Sequence, residues 1–211
     1  MATLAIFGGT GKTGGLVLER ALAAGHDVQA LARDPARLPH GKARMAAVVG
    51  DVLDPDAVDR TVTGAAGVLA LFGHVKGSAP MLQTDGTRTI VEAMKRHGVH
   101  RIVSLSGGAL GDASADQPKL ADKLIVGAMK LLARQVLADA QGHLTVLKAS
   151  GLEWTVVRAP RVQDTPALGT YRVGHVGVGT STSISRADLA DFILSQVDDR
   201  RYIHQMPFVS R

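Results

Sequence analysis

Seven residues near the N-terminus, Gly8-Gly9-Thr10-Gly11-Lys12-Thr13-Gly14, constrain this chain more than any other stretch. They follow a short apolar run, Thr3 to Phe7, and precede Val17, Leu18, Ala21 and Leu22 at helical spacing. Gly9, Gly11 and Gly14 fit G-x-G-x-x-G, while Gly8, Gly11 and Gly14 fit G-x-x-G-x-x-G. A sharp strand-to-helix turn needs residues without a Cβ, and so does a backbone that must approach a pyrophosphate. The helix start then offers free N–H groups and the positive end of its dipole to the phosphates. A triphosphate loop would need a further glycine at the position of Ile6, inside the strand. The turn therefore reads as a dinucleotide loop.

The rest of the chain repeats the alternation. Apolar runs at Val28–Ala32, Ala46–Val49, Gly67–Leu71, Arg101–Leu105, Trp154–Val157 and Met206–Val209 read as strands. Helices are expected after Asp54 as N-cap, from Met81 to His97, from about Lys119 to Asp139, and then up to Ser150-Gly151. Ser185-Arg186-Ala187-Asp188 resembles a capping box and opens a last helix. This pattern predicts one Rossmann-like, doubly wound α/β domain over residues 1–211, its sheet mainly parallel with helices on both faces. The glycine-rich stretch at about 160–184 reads as a loop-and-hairpin insertion on the substrate side.

Composition narrows the partners. The 211 residues suit one domain, and the absence of cysteine excludes disulfides and thiolate metal sites. The eight histidines show no metal spacing, so no metal is expected. Basic residues are scattered, the net charge is only +5 and aromatics are 3%, which favours an anionic small ligand over nucleic acid. No run approaches the roughly 20 apolar residues of a membrane span, and no basic region precedes the first apolar stretch. The expectation is a cytoplasmic protein acting on a small molecule, as monomer or homodimer, without nucleic acid or membrane.

The end of the second strand bears on which dinucleotide. An NAD site places a carboxylate there; here Arg33 follows Ala32 and Arg37 lies one turn later. Two guanidinium groups can clamp a 2′-phosphate, which favours NADP(H), while the adjacent Asp34 keeps NAD(H) in play. Ligands of open parallel sheets lie beyond the carboxyl ends of the strands. That nominates Asp51 and Val52 near the adenine, Leu71, Phe72 and Gly73 along the ribose and pyrophosphate, and Ser104, Leu105 and Ser106 near the nicotinamide.

These residues resemble the atypical short-chain dehydrogenase/reductases with an NAD(P)H-binding domain, in particular the NADPH-dependent flavin reductase (biliverdin reductase B) group. The resemblance runs through Gly8–Gly14, Ala32-Arg33-Asp34, Val49-Gly50-Asp51-Val52, Ile90–Lys95, Ser150–Thr155 and Ile184–Ala190. It implies an NADPH site using Thr10, Lys12, Thr13, Arg33, Arg37, Asp51 and Val52, with Ser106 near the nicotinamide. Pro160 and Arg161 fall in a loop that would close over the ring, Arg161 standing where the flavin reductase type has a histidine.

The wider superfamily reduces carbonyls with a Tyr-x-x-x-Lys pair, the lysine lowering the tyrosine pKa. Neither Tyr171 nor Tyr202 has a lysine four residues on. Ser106, Asp139, His143 and Lys148 remain as proton-handling candidates; His143 and Lys148 read as helix-surface residues, and Ser106 as an orienting donor. No serine lies in a G-x-S-x-G elbow, so serine hydrolysis has no support. This predicts direct hydride transfer to an acceptor that needs little acid catalysis, such as a flavin (as substrate rather than prosthetic group), a quinone or a conjugated tetrapyrrole. A silent NADP(H) sensor of the NmrA-like kind and a biosynthetic isomerase or epimerase are the alternatives.

Overall fold

A computed structural model describes residues 1–211, except the side chains at positions 121, 122, 125, 129 and 130. The chain alternates β1 (Thr3–Phe7), α1 (Lys12–Ala23), β2 (Asp27–Ala32), β3 (Met45–Val49), α2 (Pro55–Val62), β4 (Gly67–Ala70), α3 (Leu82–His97) and β5 (Arg101–Gly107). It continues with α4 (Leu120–Leu132), α5 (Arg134–Ala149), β6 (Glu153–Ala159), β7 (Arg161–Gln163), β8 (Arg172–Gly174), β9 (Ser183–Ser185), α6 (Arg186–Ser195) and β10 (Phe208–Ser210). The main sheet has the order β3-β2-β1-β4-β5-β6-β10-β8, parallel throughout except for β8 at the edge. Strand order reverses between β1 and β4, so a crevice opens beyond their carboxyl ends.

The central strands are apolar at consecutive positions because both of their faces are covered. Leu4, Ile6, Leu69, Val103 and Val157 face α1 and α6; Ala5, Phe7, Val68, Ile102 and Val156 face α2, α3 and α5. Each such Leu, Ile or Val contributes about 1.5–3 kcal/mol by leaving water. Asp54 caps α2, and Ser185 caps α6 by accepting from the Asp188 N–H at 2.9 Å. Helix α3 has no cap of its own at Met81. Asp139, fully buried on α5, supplies it, its carboxylate accepting from the N–H groups of Gln83 and Thr84 at 2.8 Å each. No helix among the described residues is long and apolar enough to cross a membrane.

Two sequence expectations need correction. The helical region after Lys119 breaks at Ala133, where the backbone leaves the helical region, rather than near Asp139, which lies inside α5 and caps α3 from there. The segment at 160–184 does not fold back on itself as a single hairpin. Its β7 and β9 pair in parallel as a separate two-stranded sheet, while β8 joins the main sheet antiparallel to β10. Glycines mark turns, but they do not say which strand each short run will pair with.

One buried ion pair organises this second half. Arg158 stands next to the carboxyl end of the mainly apolar strand β6 and is fully buried. Its guanidinium donates to both oxygens of Asp116, at 2.6 and 2.9 Å, and to the carbonyls of Met206 and Leu110. Asp116 also accepts from the N–H groups of Asp112 and Val176. Burial alone would raise the Asp116 carboxyl, but the Arg158 guanidinium and these backbone donors hold it below the ordinary carboxylate range. The pair fastens the β5–α4 connection to β6 and to the turn after β8. Removing one partner leaves a buried charge uncompensated, so Asp116→Ala should cost about 3–5 kcal/mol, lowering the thermal midpoint by roughly 10 °C. Scanning calorimetry of D116A checks this; adding Arg158→Met should recover part of the loss.

Candidate functional site

The crevice is set by backbone approaching backbone. Gly8, at φ +88°, ends β1; a Cβ there would lie 2.6 Å from the Leu71 carbonyl carbon, in the segment leaving β4. A Cβ on Gly14 would lie 2.1 Å from the Gly8 carbonyl oxygen, so only glycine lets α1 start directly above the turn. Gly11 is the N-cap, no side chain caps the helix, and no acid occupies its first turn. The orphan N–H groups of α1 therefore face the crevice with the dipole unopposed. A cradle that a Cβ would fill, with free donors at its rim, fits a pyrophosphate.

Cations gather around it. Arg33, just past β2, is exposed, its nearest acid being Asp51 at 3.9 Å. Arg37 donates to the Thr10 carbonyl at 3.4 Å, which brings it over the glycine turn. Asp34 is occupied locally: its carboxylate accepts from the Ala36 N–H and caps the short turn Pro35–Arg37. Lys12 pairs with Asp164 at 3.2 Å; Asp164 also accepts from Arg186, which donates in turn to the Thr13 hydroxyl at 2.7 Å. Sequence reasoning missed Asp164 and Arg186 as neighbours of the turn. Thr13 and Arg186 are 173 positions apart, and no local pattern announces that contact.

The strand ends behave differently from one another. Asp51 makes an Asx turn with the Leu53 N–H, and Val52 is buried close against Gly86 of α3. Leu71 is nearly buried, and Phe72 and Gly73 continue along the crevice wall, with Gln83 donating to the Phe72 carbonyl. Ser104 needs correcting as a crevice residue. It is fully buried, and its hydroxyl is hydrogen-bonded to His143 Nε2 at 3.0 Å. Ser106, two residues on and on the same face, stands at the strand end, and among the described residues its hydroxyl has no hydrogen-bond partner. Leu105 points the other way, toward the α1 and α6 side.

Beyond Ser106 a cavity of about 970 Å³ opens between the ends of β5 and β6 and helices α4 and α5. Gly107, Gly108, Val126, Leu137, Ala159 and Phe208 give it a mainly apolar wall, and Pro160 and Arg161 stand at its edge. Neither tyrosine lines it. Tyr171 and Tyr202 pack edge-on around Phe192 of α6, and burial pushes Tyr171 above its ordinary value, the opposite of what a proton-donating phenol needs.

The family model described as NAD(P)H-binding matches residues 8–200, from the first glycine of the turn to beyond α6. The chain belongs to this family. Two mycobacterial proteins, Mb2073c of Mycobacterium bovis and Rv2047c of Mycobacterium tuberculosis, are each 31% identical over 156 residues; both are called uncharacterized. Those matches cover 74% of this chain but 14% of either relative, so the chain spans only a small part of their length. Among solved structures, a short-chain dehydrogenase/reductase from Veillonella parvula in complex with NADP superposes with TM-score 0.82 at 17% identity, covering 100% of this chain and 95% of that one. ChuY, an anaerobilin reductase from Escherichia coli O157:H7, gives 0.78 at 18% identity over 99% and 96%. Both show the same fold.

His143 also needs correcting: it is not a surface residue but lies in the core, bridging Thr87 (2.7 Å to Nδ1) and Ser104. Both partners are hydroxyls, which can donate or accept, so a neutral imidazole is satisfied on both sides. Burial lowers its pKa from 6.5 to about 4. Asp139 is likewise structural: burial would raise it, but bonds from the Thr84 hydroxyl, the α3 backbone and His74 hold it low. The pH consequence of His143 has a definite sign. Between pH 6.5 and 4 the unfolded chain binds a proton that the folded chain refuses, so stability is full above 6.5 and falls as the pH drops through that window. The loss should reach about 3 kcal/mol near pH 4. Denaturant unfolding across this range checks it, and His143→Gln should flatten the slope.

Proposed function

We propose that the chain is an NADPH-dependent reductase that passes hydride to a flavin, a quinone or a similar conjugated acceptor held in the cavity beyond β5 and β6. The observation carrying this reading is the lining itself: among the described residues no histidine or tyrosine faces the cavity, and Asp116 is kept ionised by Arg158. An acceptor that takes its proton from solvent needs no such group. A simple ketone does.

NADPH supplies the hydride when bound. The residues that would hold it are Gly8 to Gly14 at the pyrophosphate, Arg33 and Arg37 at the 2′-phosphate, Asp51 and Val52 at the adenine, and Leu71, Phe72 and Gly73 along the wall. The engagement of Asp34 as a local cap supports the 2′-phosphate assignment, since its carboxylate is turned to the Ala36 N–H rather than offered to a ribose hydroxyl. Ser106 orients the nicotinamide amide with its free hydroxyl, assisted by the backbone at Leu105. Pro160 and Arg161 bound the ring on the cavity side. The protein's contribution is proximity and exclusion of water.

NADPH oxidation measured across flavins, quinones and unactivated ketones tests the reaction. Turnover is expected with the first two classes and not with the third; tight NADP⁺ binding with no turnover on any acceptor would instead favour a regulator. For the cofactor, Arg33→Ala should weaken NADPH binding by about 1–2 kcal/mol while changing NADH binding much less. Equal losses for both dinucleotides in calorimetric titration would contradict the 2′-phosphate assignment.

A further inference from the structure

The cavity wall is apolar, yet three cations reach it from three elements. Lys123 comes from α4, Arg134 is the first residue of α5, and Arg161 is the first residue of β7. Among the described residues none of the three makes an ion pair or a side-chain hydrogen bond. That sets them apart from the other cations of the site: Lys12 and Arg186 share Asp164, Arg158 is satisfied by Asp116, and Arg33 has Asp51 nearby. Two carboxylates also line the space. Asp116 is neutralised by Arg158, and Asp112 accepts from the backbone and hydroxyl of Ser114. Among the described residues the cavity thus presents three free positive charges against one unneutralised carboxylate.

We propose that this cavity selects acceptors that carry an anionic group, a phosphate or a carboxylate, on their planar apolar body, and that Lys123, Arg134 and Arg161 bind that group. The inference rests on the reductase reading and names its substrate class more narrowly. The apolar wall takes the conjugated rings, and charge complementarity at the rim fixes which end enters first. A neutral quinone would leave all three cations unanswered. The break at Ala133 has a consequence here, since it sets Lys123 and Arg134 on two separate helices facing one space. Because these side chains are solvated, their effect is modest and screened by salt.

FMN and riboflavin share one ring system and differ by a phosphate, so they isolate the charge. Titrated by flavin fluorescence into the protein saturated with NADP⁺, where no turnover occurs, FMN should bind at least about fivefold tighter than riboflavin. That ratio should shrink with added salt and in the double variant Lys123→Gln/Arg134→Gln, whose exposed positions leave the fold intact by circular dichroism. A carboxylated naphthoquinone set against its neutral parent forms the second arm. Preference in that arm alone assigns the clamp to carboxylates, preference for FMN alone assigns it to phosphates, and preference in both assigns it to either. No preference in either arm, including no binding of any of the four, overturns the proposal. So does a preference that survives in the double variant, or a loss of NADPH affinity as large as the loss for FMN, which would put these cations on the cofactor. If NADPH is oxidised by flavins without charge preference, this inference fails and the reductase reading stands; if FMN is preferred but never reduced, the reverse holds.

Discussion

The structure turns on one steric constraint, the contact of the chain leaving β1 with the chain leaving β4. Gly8 allows it, because any side chain there would run into the Leu71 backbone, and Gly14, in the first turn of α1, makes a like demand against the Gly8 carbonyl. With both in place, α1 starts directly beyond the carboxyl end of β1, with no side chain capping its N–H groups. The crevice at the switch point is therefore a consequence of strand order and two missing Cβ atoms, and an anion is what such a helix start attracts.

A second constraint builds the other half of the site. The Arg158–Asp116 pair joins a mainly apolar strand to a loop, and it fixes the β5–α4 connection against β6 and the β8 turn. That connection is one wall of the cavity. A buried pair of this kind adds little stability relative to apolar packing, yet breaking it is costly, so it suits the fixing of a loop in one place better than the strengthening of a core. The chain so divides its labour: glycines and helix dipole at the crevice, a buried ion pair and an apolar wall at the cavity.

Much of this was legible in the sequence, for local reasons. The turn at Gly8–Gly14, the caps at Asp54 and Ser185, and the apolar strands are short-range patterns, and the structure places them where spacing puts them. Arg158 was passed over, because the apolar run ends at Val157; in the structure β6 runs on to Ala159 and buries the arginine, which must then find a partner. Which partner was not legible, because Asp116 lies in an irregular loop. His143 was misread as a surface residue, and Asp139, kept as a proton-handling candidate, turned out to be a cap, for a related cause. A polar residue on a helix reads as surface unless the facing helix is known, and here α3 presents Thr84 and Thr87 to meet them. The pairing of β7 with β9 and the link from Thr13 to Arg186 depend on long-range packing and had no local signature.

The central claim is that one dinucleotide spans the crevice with its phosphates at the glycine turn and its reactive ring facing the cavity. A crystal structure with NADP⁺ bound tests it most directly. The account predicts the pyrophosphate over Gly8–Gly14, the 2′-phosphate between Arg33 and Arg37, and the nicotinamide beside Ser106 with one face open to the cavity. A nicotinamide turned away from that cavity, or a 2′-phosphate that meets neither arginine, would contradict it.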